Sequence, residues 1–450
     1  MAKQALKPDD VVDGPPALPR WMIWVAAGLI LVVGIVAYAN SLAGAFVLDD
    51  EFTIQKGHLL RPGTPITELL KSPRPVFKLT LRFNYALDAW FARSTKRPHP
   101  RAGLGPWGYH LFNVAVHVLA ALALFGVVRR TLLSDRLAGL FGRAALPLSL
   151  IVALIWLVHP LQTSAVTYVV QRAESLTGLL YLLTLYFAIR AFAAQGSRLW
   201  RNVWSVLAVA VCFLGMGCKE IMVGALITVF VYDLIFVGES PKLWGTLRRR
   251  WGLYVALTLT YSLLIVGRVF ASLSAKGPPS AGFSMKEVTA WTYPLTQFHA
   301  ICRYLRLSFW PTGLVLDYWW LPAQSVWEVW YYAVIILALL AATGLALWRK
   351  PALGFLGLWF FLILAPSSSI YPIKDVIFEH RMYLSLAAVV VGVVCGCYVL
   401  GVRLLRRLGV ERSSRVLAAG IGSVAALAVV VALTVLTVRR NRMYHTESGM

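Results

Sequence analysis

Apolar residues run along this chain in blocks of roughly fifteen to twenty-five, divided by short polar turns and two longer polar stretches. A helix rises about 1.5 Å per residue, so blocks of this length match a hydrocarbon core about 30 Å thick. Eleven spans are predicted, at about 21–41, 109–130, 145–163, 174–194, 203–218, 221–238, 252–272, 328–348, 352–366, 383–402 and 416–438. Alternating ten-residue strand patterns are absent, which argues against a membrane barrel. The fold class expected is therefore all-α and polytopic. The first block has no small-residue cleavage site and is long enough to span, so it reads as a retained anchor.

Charge then orients the spans. Arg129, Arg130, Arg136 and Arg143 fall in one turn, Lys242, Arg248, Arg249 and Arg250 in another, and Arg403, Arg406, Arg407, Arg412 and Arg415 in a third. All three turns lie on the side of the N-terminus, which the positive-inside rule makes cytoplasmic. The odd number of spans puts the two termini on opposite sides. This gives a cytoplasmic tail at 1–20, a membrane domain at 21–438 and a short outer tail at 439–450. Two long loops, 42–108 and about 273–327, then lie outside.

Composition agrees with that picture: 59% of residues are hydrophobic and 14% charged, with mean hydropathy +0.69. The first outer loop is itself basic, with ten Lys or Arg against five Asp or Glu. Binding a lipid phosphate and attraction to anionic headgroups both account for that excess. Within this loop 65–70 and 76–90 show helical apolar spacing with interleaved bases, as expected of helices lying on a membrane surface. The second loop opens with Lys276-Gly277-Pro278-Pro279, a turn. It is rich in aromatics, among them Trp310, Tyr318, Trp319, Trp320 and Trp327, suited to interfacial anchoring or to stacking on a sugar. The five cysteines form no disulfide framework, and Cys395-Gly396-Cys397 lacks the further ligands of a metal motif. No nucleotide-binding loop appears. Any chemistry must use a substrate activated elsewhere.

Three consecutive acids, Asp49, Asp50 and Glu51, follow the first span. Carboxylates at a membrane edge are costly to desolvate and tend to mark a site, although a helix-end cluster facing water is the plainer account. Other polar groups gather at outer span ends: His159–Glu174, the pair Lys219-Glu220, and Ser367–Tyr383. His110, Asn113 and His117 share one face of the second span, which must turn inward to form interhelical hydrogen bonds.

Phe46-Val47-Leu48-Asp49-Asp50 resembles the acidic loop motif of GT-C membrane glycosyltransferases, most of all the protein O-mannosyltransferases and their transmembrane, tetratricopeptide-containing relatives. The resemblance continues in order through Arg74-Pro75, Arg82-Phe83-Asn84-Tyr85, Tyr109-His110-Leu111-Phe112-Asn113, His159-Pro160, Gln171-Arg172-Ala173-Glu174 and Lys219-Glu220. It ends with Leu316-Asp317-Tyr318 and Glu379-His380-Arg381-Met382-Tyr383-Leu384. It covers about 40–445. Two departures stand out. Leu161-Gln162-Thr163-Ser164 follows His159-Pro160 where many relatives carry a Glu. The stretch Arg440–Glu447 resembles the junction from which relatives run into tetratricopeptide repeats, and this sequence stops at Met450.

The resemblance implies a GT-C fold. It also implies an inverting transfer of a monosaccharide, mannose in the family, from a polyprenyl-phosphate donor to a protein Ser or Thr hydroxyl. The site would lie on the outer, periplasmic or extracellular face of the cytoplasmic membrane. Asp49 matches the family's catalytic Asp and would act as base. Asp50 would orient the acceptor or tune its neighbour, and Glu51 has no assigned role. A departing phosphate gains charge, so basic groups near it stabilise the transition state. Arg172 and Arg381 are the candidates, with Lys219 behind them. Each arginine lies two residues from an acid, Glu174 and Glu379, so interfacial salt bridges are the alternative. Glu220, His159 and Arg74 complete the supporting set. A divalent metal on the acid triplet is the less favoured alternative: three successive acids on a helix diverge, and the family needs no obligatory metal. The lipid-linked sugar is a co-substrate, the partners are membrane lipid and a secreted or surface acceptor, and nucleic acid is not among them. The same chemistry on a glycolipid or cell-wall glycan is one rival. A lipid-linked sugar flippase is another, although transporters place charges near the bilayer midplane.

Overall fold

The computed structural model describes residues 19–94, 103–238, 243–265, 288–369, 371–409 and 412–445. The predicted turn at Lys276–Pro279, Lys242, the tail before residue 19 and the stretch after 445 lie outside them. Among the described residues nine helices are long and apolar enough to cross a membrane, and two shorter apolar helices, Trp251–Ile265 and Pro351–Leu364, join them. These eleven correspond one to one with the predicted spans. The protein is an all-α, multi-pass membrane protein, and no strand element occurs among the described residues.

The longer helices are α1 (Trp21–Tyr38), α2 (Pro75–Ser94), α3 (Pro106–Leu132), α4 (Ala145–Leu157), α5 (Arg172–Ala193), α6 (Arg198–Met216) and α7 (Gly224–Tyr232). Then follow α8 (Trp251–Leu259), α9 (Thr292–Phe309), α10 (Trp330–Arg349), α11 (Pro351–Leu364), α12 (Met382–Arg407) and α13 (Arg412–Asn441). Proline at the first position starts α3 and α11, where a missing N–H costs nothing. α3 and α5 form the centre. α3 packs on α1, α4 and α5, α5 also on α6 and α7, and α11 on α10 and α12. α10 and α13 are as apolar as the central helices yet bury little of themselves, as lipid-facing helices do when tails replace a protein core.

Close approach and buried polar bonds fix the centre. A Cβ at Gly178 of α5 would lie 2.5 Å from the Tyr383 ring of α12, so only glycine lets these helices meet. The Tyr383 hydroxyl bonds His117 Nδ1 at 2.9 Å, while His117 Nε2 bonds the Leu157 carbonyl at 2.9 Å. Asn113 donates to the Val166 and Val169 carbonyls. The polar stripe of α3 thus turns inward as its cost in lipid requires.

Both long loops carry helices. Ile66–Leu70 and α2 fill the first. α2 buries Phe77, Leu81 and Tyr85 against Phe46, Ile54, Tyr109 and Val169, and leaves Phe83, Trp90 and Phe91 exposed. The second contains α9, which buries Tyr293, Gln297 and Tyr304. In the short tail after 438, Arg440, Asn441 and Tyr444 are buried.

Candidate functional site

α1 runs out through a short turn at Ala39–Ala43 into the acid segment. Leu48 has φ +46°, a left-handed conformation costing a non-glycine residue about 1–2 kcal/mol. Hydrogen bonds from several directions impose it. Asp50 Oδ2 accepts Val47 N–H at 3.1 Å, and its Oδ1 accepts Val170 N–H at 2.7 Å. Asp49 N–H donates to the Tyr168 hydroxyl at 2.9 Å, and Ala45 N–H donates to the Tyr444 carbonyl at 2.9 Å.

The three acids therefore part company. Asp50 is fully buried, and burial pushes its carboxyl up to about 7 despite the N–H groups of Val47, Val170 and Val169. Buried there, it shapes the turn that carries Asp49. Asp49 is exposed. Burial and then Asp49 raise the neighbouring Tyr168 hydroxyl above its usual range. Glu51 faces water and pairs with Lys56 at 2.6 Å.

A further acid, Asp375, lies within electrostatic range of Asp49. Burial, then Asp317, then (beyond the opposing pull of Arg381) Asp49 raise Asp375 above the usual carboxylate range. Asp317 caps Trp319 N–H at 3.1 Å. Glu379 accepts from Val315 N–H at 2.8 Å and Tyr318 OH at 2.9 Å, and pairs with Arg440 at 3.4 Å. Among the described residues no three His, Cys, Asp or Glu side chains converge as a metal site.

The basic groups divide into braces and open cations. Arg172 is fully buried. It donates to Asn113 Oδ1 at 2.5 Å, Asn84 Oδ1 at 2.6 Å, Tyr109 O at 2.9 Å, and both oxygens of Thr80. Arg381 is equally enclosed, donating to the carbonyls of Ser367, Asp375 and Val376 and to Tyr293 OH. Neither guanidinium presents a face to a donor phosphate, which corrects the expectation from sequence. Arg172 is engaged by acceptors of α2 and α3 and Arg381 by loop carbonyls and a tyrosine hydroxyl, groups that need those donors. Their predicted partners also differ. Glu174 pairs with Lys219 and Glu379 with Arg440, so the salt bridges cross between helix ends.

Lys219 keeps 12% of its side chain exposed and Arg74 38%; the latter reaches Glu220 at 3.5 Å. Val76 N–H bonds the Gly217 carbonyl at 3.0 Å, docking α2 on the Lys219 loop. Lys78, one turn from Arg74, has its ammonium pushed down by burial and by that arginine. His380 lies within electrostatic range of Lys219, Arg381 and Arg74, and its buried Nδ1 has no hydrogen-bond partner. His159 is buried beside Pro160; its Nδ1 accepts Leu161 N–H, its Nε2 meets the Ser308 carbonyl, and burial pushes the imidazole down to about 4. It caps a turn and stays neutral.

Sequence reasoning missed Tyr168, Asp375 and Lys78. Lys78 was within reach, since Arg74 and Lys78 share a helix face. Tyr168 and Asp375 sit in short loops whose pattern carries no such signal.

No protein-family model matches the chain. Among curated relatives, protein O-mannosyl-transferase Tmtc3 of Drosophila melanogaster is 30% identical over 300 residues, covering 54% of this chain and 30% of the relative. Human protein O-mannosyl-transferase TMTC2 is 30% identical over 317 residues, covering 64% and 34%. Xenopus laevis tmtc2 is 28% identical over 322 residues, covering 65% and 35%. The chain thus spans about a third of the length of these relatives. Among solved structures, ArnT from Cupriavidus metallidurans bound to undecaprenyl phosphate matches at 16% identity and TM-score 0.46, over 96% of this chain and 76% of that one. Over half to two thirds of its length, this chain is similar in sequence to the protein O-mannosyltransferases that its motifs resemble.

Proposed function

We propose that the protein is an inverting GT-C glycosyltransferase that moves a monosaccharide, mannose, from a polyprenyl-phosphate donor to a protein Ser or Thr hydroxyl. The reading places the Asp49 end outside the cytoplasmic membrane, opposite the arginine-rich turns. The observation that carries it is Asp49 itself: an exposed carboxylate on a turn pinned by Asp50, Tyr168 and Tyr444. The sequence similarity to O-mannosyltransferases supplies the reaction class.

In the proposed step the acceptor oxygen attacks the anomeric carbon as the bond from that carbon to phosphate oxygen breaks. The hydroxyl proton passes to Asp49, and polyprenyl phosphate leaves with the bonding pair. Lys219 and Arg74 are the cations open enough to offset its charge. Arg172, Arg381 and Glu379 hold the loops around them, and Glu174 and Glu220 position the two cations.

Purified full-length chain in lipid nanodiscs, given polyprenyl-phosphate mannose and Ser/Thr peptides, should release polyprenyl phosphate and glycosylated peptide together. Asp49→Asn should lower turnover roughly 10²–10⁴-fold, the range of a lost general base. Wild-type turnover in that variant would refute the base. Transfer only to a glycolipid would refute the protein acceptor.

A further inference from the structure

At the end of the bundle opposite Asp49, α3, α11 and α12 enclose a cavity of about 680 Å³. Its interior is apolar, walled by residues such as Val128, Phe236, Leu356 and Val391. Its mouth is ringed by Arg136, Arg349, Lys350 and Arg403, and no acidic residue lines it. All four cations are exposed, and none makes an ion pair among the described residues. The proposed reaction uses none of them.

The walls of this cavity are built rather than incidental. α10 and α11 turn on each other at Arg349-Lys350, and Gly354 meets the Leu347 backbone so closely that any Cβ would collide. That contact fixes two of the four cations at the mouth. The floor on α12 is left open: a Cβ at Gly396 would meet nothing within 4 Å.

We propose that this cavity binds one anionic phospholipid of the cytoplasmic leaflet, its phosphate among Arg136, Arg349, Lys350 and Arg403 and its acyl carbons inside. An apolar cavity alone would accept any lipid tail. Four cations without a compensating acid select a phosphodiester that carries net charge, and arginine forks suit its oxygens. The volume lies within the roughly 300–1,000 Å³ of ligand sites, enough for chain segments beneath a headgroup. The positive-inside rule sets this mouth at the leaflet where anionic lipids concentrate.

The test is native mass spectrometry of the full chain after partial delipidation, in micelles doped with phosphatidylglycerol, phosphatidylcholine or polyprenyl phosphate. One retained phosphatidylglycerol is expected, in preference to phosphatidylcholine. Each cation removed should weaken retention roughly fivefold, so Arg136→Gln/Lys350→Gln should weaken it roughly 25-fold. Gly396→Phe keeps every charge but fills the floor, and should lose the lipid while the helical circular dichroism stays unchanged. Equal retention of both phospholipids, retention in Gly396→Phe, or preference for polyprenyl phosphate would overturn the proposal. So would a dimer that Gly396→Phe dissociates, because a second copy would then cover the cavity.

Discussion

Replacing Asp50 by Asn keeps the side chain's shape and removes one of its two acceptors. In the native turn both oxygens receive a backbone N–H, from Val47 at 3.1 Å and Val170 at 2.7 Å. An amide accepts only through its oxygen, so one of these buried N–H groups loses its partner, at about 1–3 kcal/mol. Ionisation works the other way. Burial raises the native carboxyl to about 7, whereas an unfolded chain titrates near about 3.9. The folded state therefore holds this proton more tightly. Its contribution is fully present below about pH 4, declines as pH rises, and is gone above about pH 7. The gap of about 3 units corresponds to about 4 kcal/mol. Asn has no such slope. Asp50→Asn should be less stable than wild type by about 1–3 kcal/mol at pH 4 and more stable by a similar amount at pH 8. Unfolding of both proteins in one detergent at pH 4, 6 and 8, followed by circular dichroism, reads the difference directly. A constant difference across that range would refute the reasoning.

Other substitutions separate braces from open cations. Arg172→Ala strands the Asn84 and Asn113 oxygens and should cost roughly 2–6 kcal/mol, read as a lowered thermal midpoint. A normally stable variant with weakened donor binding would restore Arg172 as a phosphate ligand. Lys219→Met leaves Glu174 unpaired, so the informative protein is Lys219→Met/Glu174→Gln. It should fold yet show a donor KM raised about tenfold, the loss of one charge-assisted contact; an unchanged KM would make the pair purely structural. Gly178→Val drives a methyl into the Tyr383 ring and should cost about 1–3 kcal/mol by overpacking, read from the thermal midpoint.

The spans were legible because bilayer thickness dictates their length, and the short Pro351–Leu364 helix was found by apolarity alone. The polar stripe of α3 was legible because lipid forbids it on an outer face. The helices of the first loop showed in the spacing of Phe77, Leu81 and Tyr85. The pairing of Glu174 with Lys219 was not readable, because it joins the ends of helices brought together only by packing. The same holds for Arg172: its place at an outer span end suggested a phosphate ligand and the nearby Glu174 a salt bridge, while its acceptors come from α2 and α3. Sequence spacing also could not separate Asp49 from Asp50. One points out and the other in because successive residues of a helical turn diverge, and which of them faces inward is set by packing against Val170 and Tyr168.

The bond from Ala45 N–H to the Tyr444 carbonyl has a consequence for reach. Asp49 lies four residues along the chain from Ala45, at most about 14 Å of extended backbone. A segment continuing past Tyr444 would therefore begin beside the proposed base, anchored through Arg440 to Glu379. An acceptor held on such a tether would meet Asp49 intramolecularly, at an effective concentration that short linkers bring to about the millimolar range. Affinity of such a tether for an acceptor and turnover at Asp49 would then vary independently, with tether length setting the exchange between them.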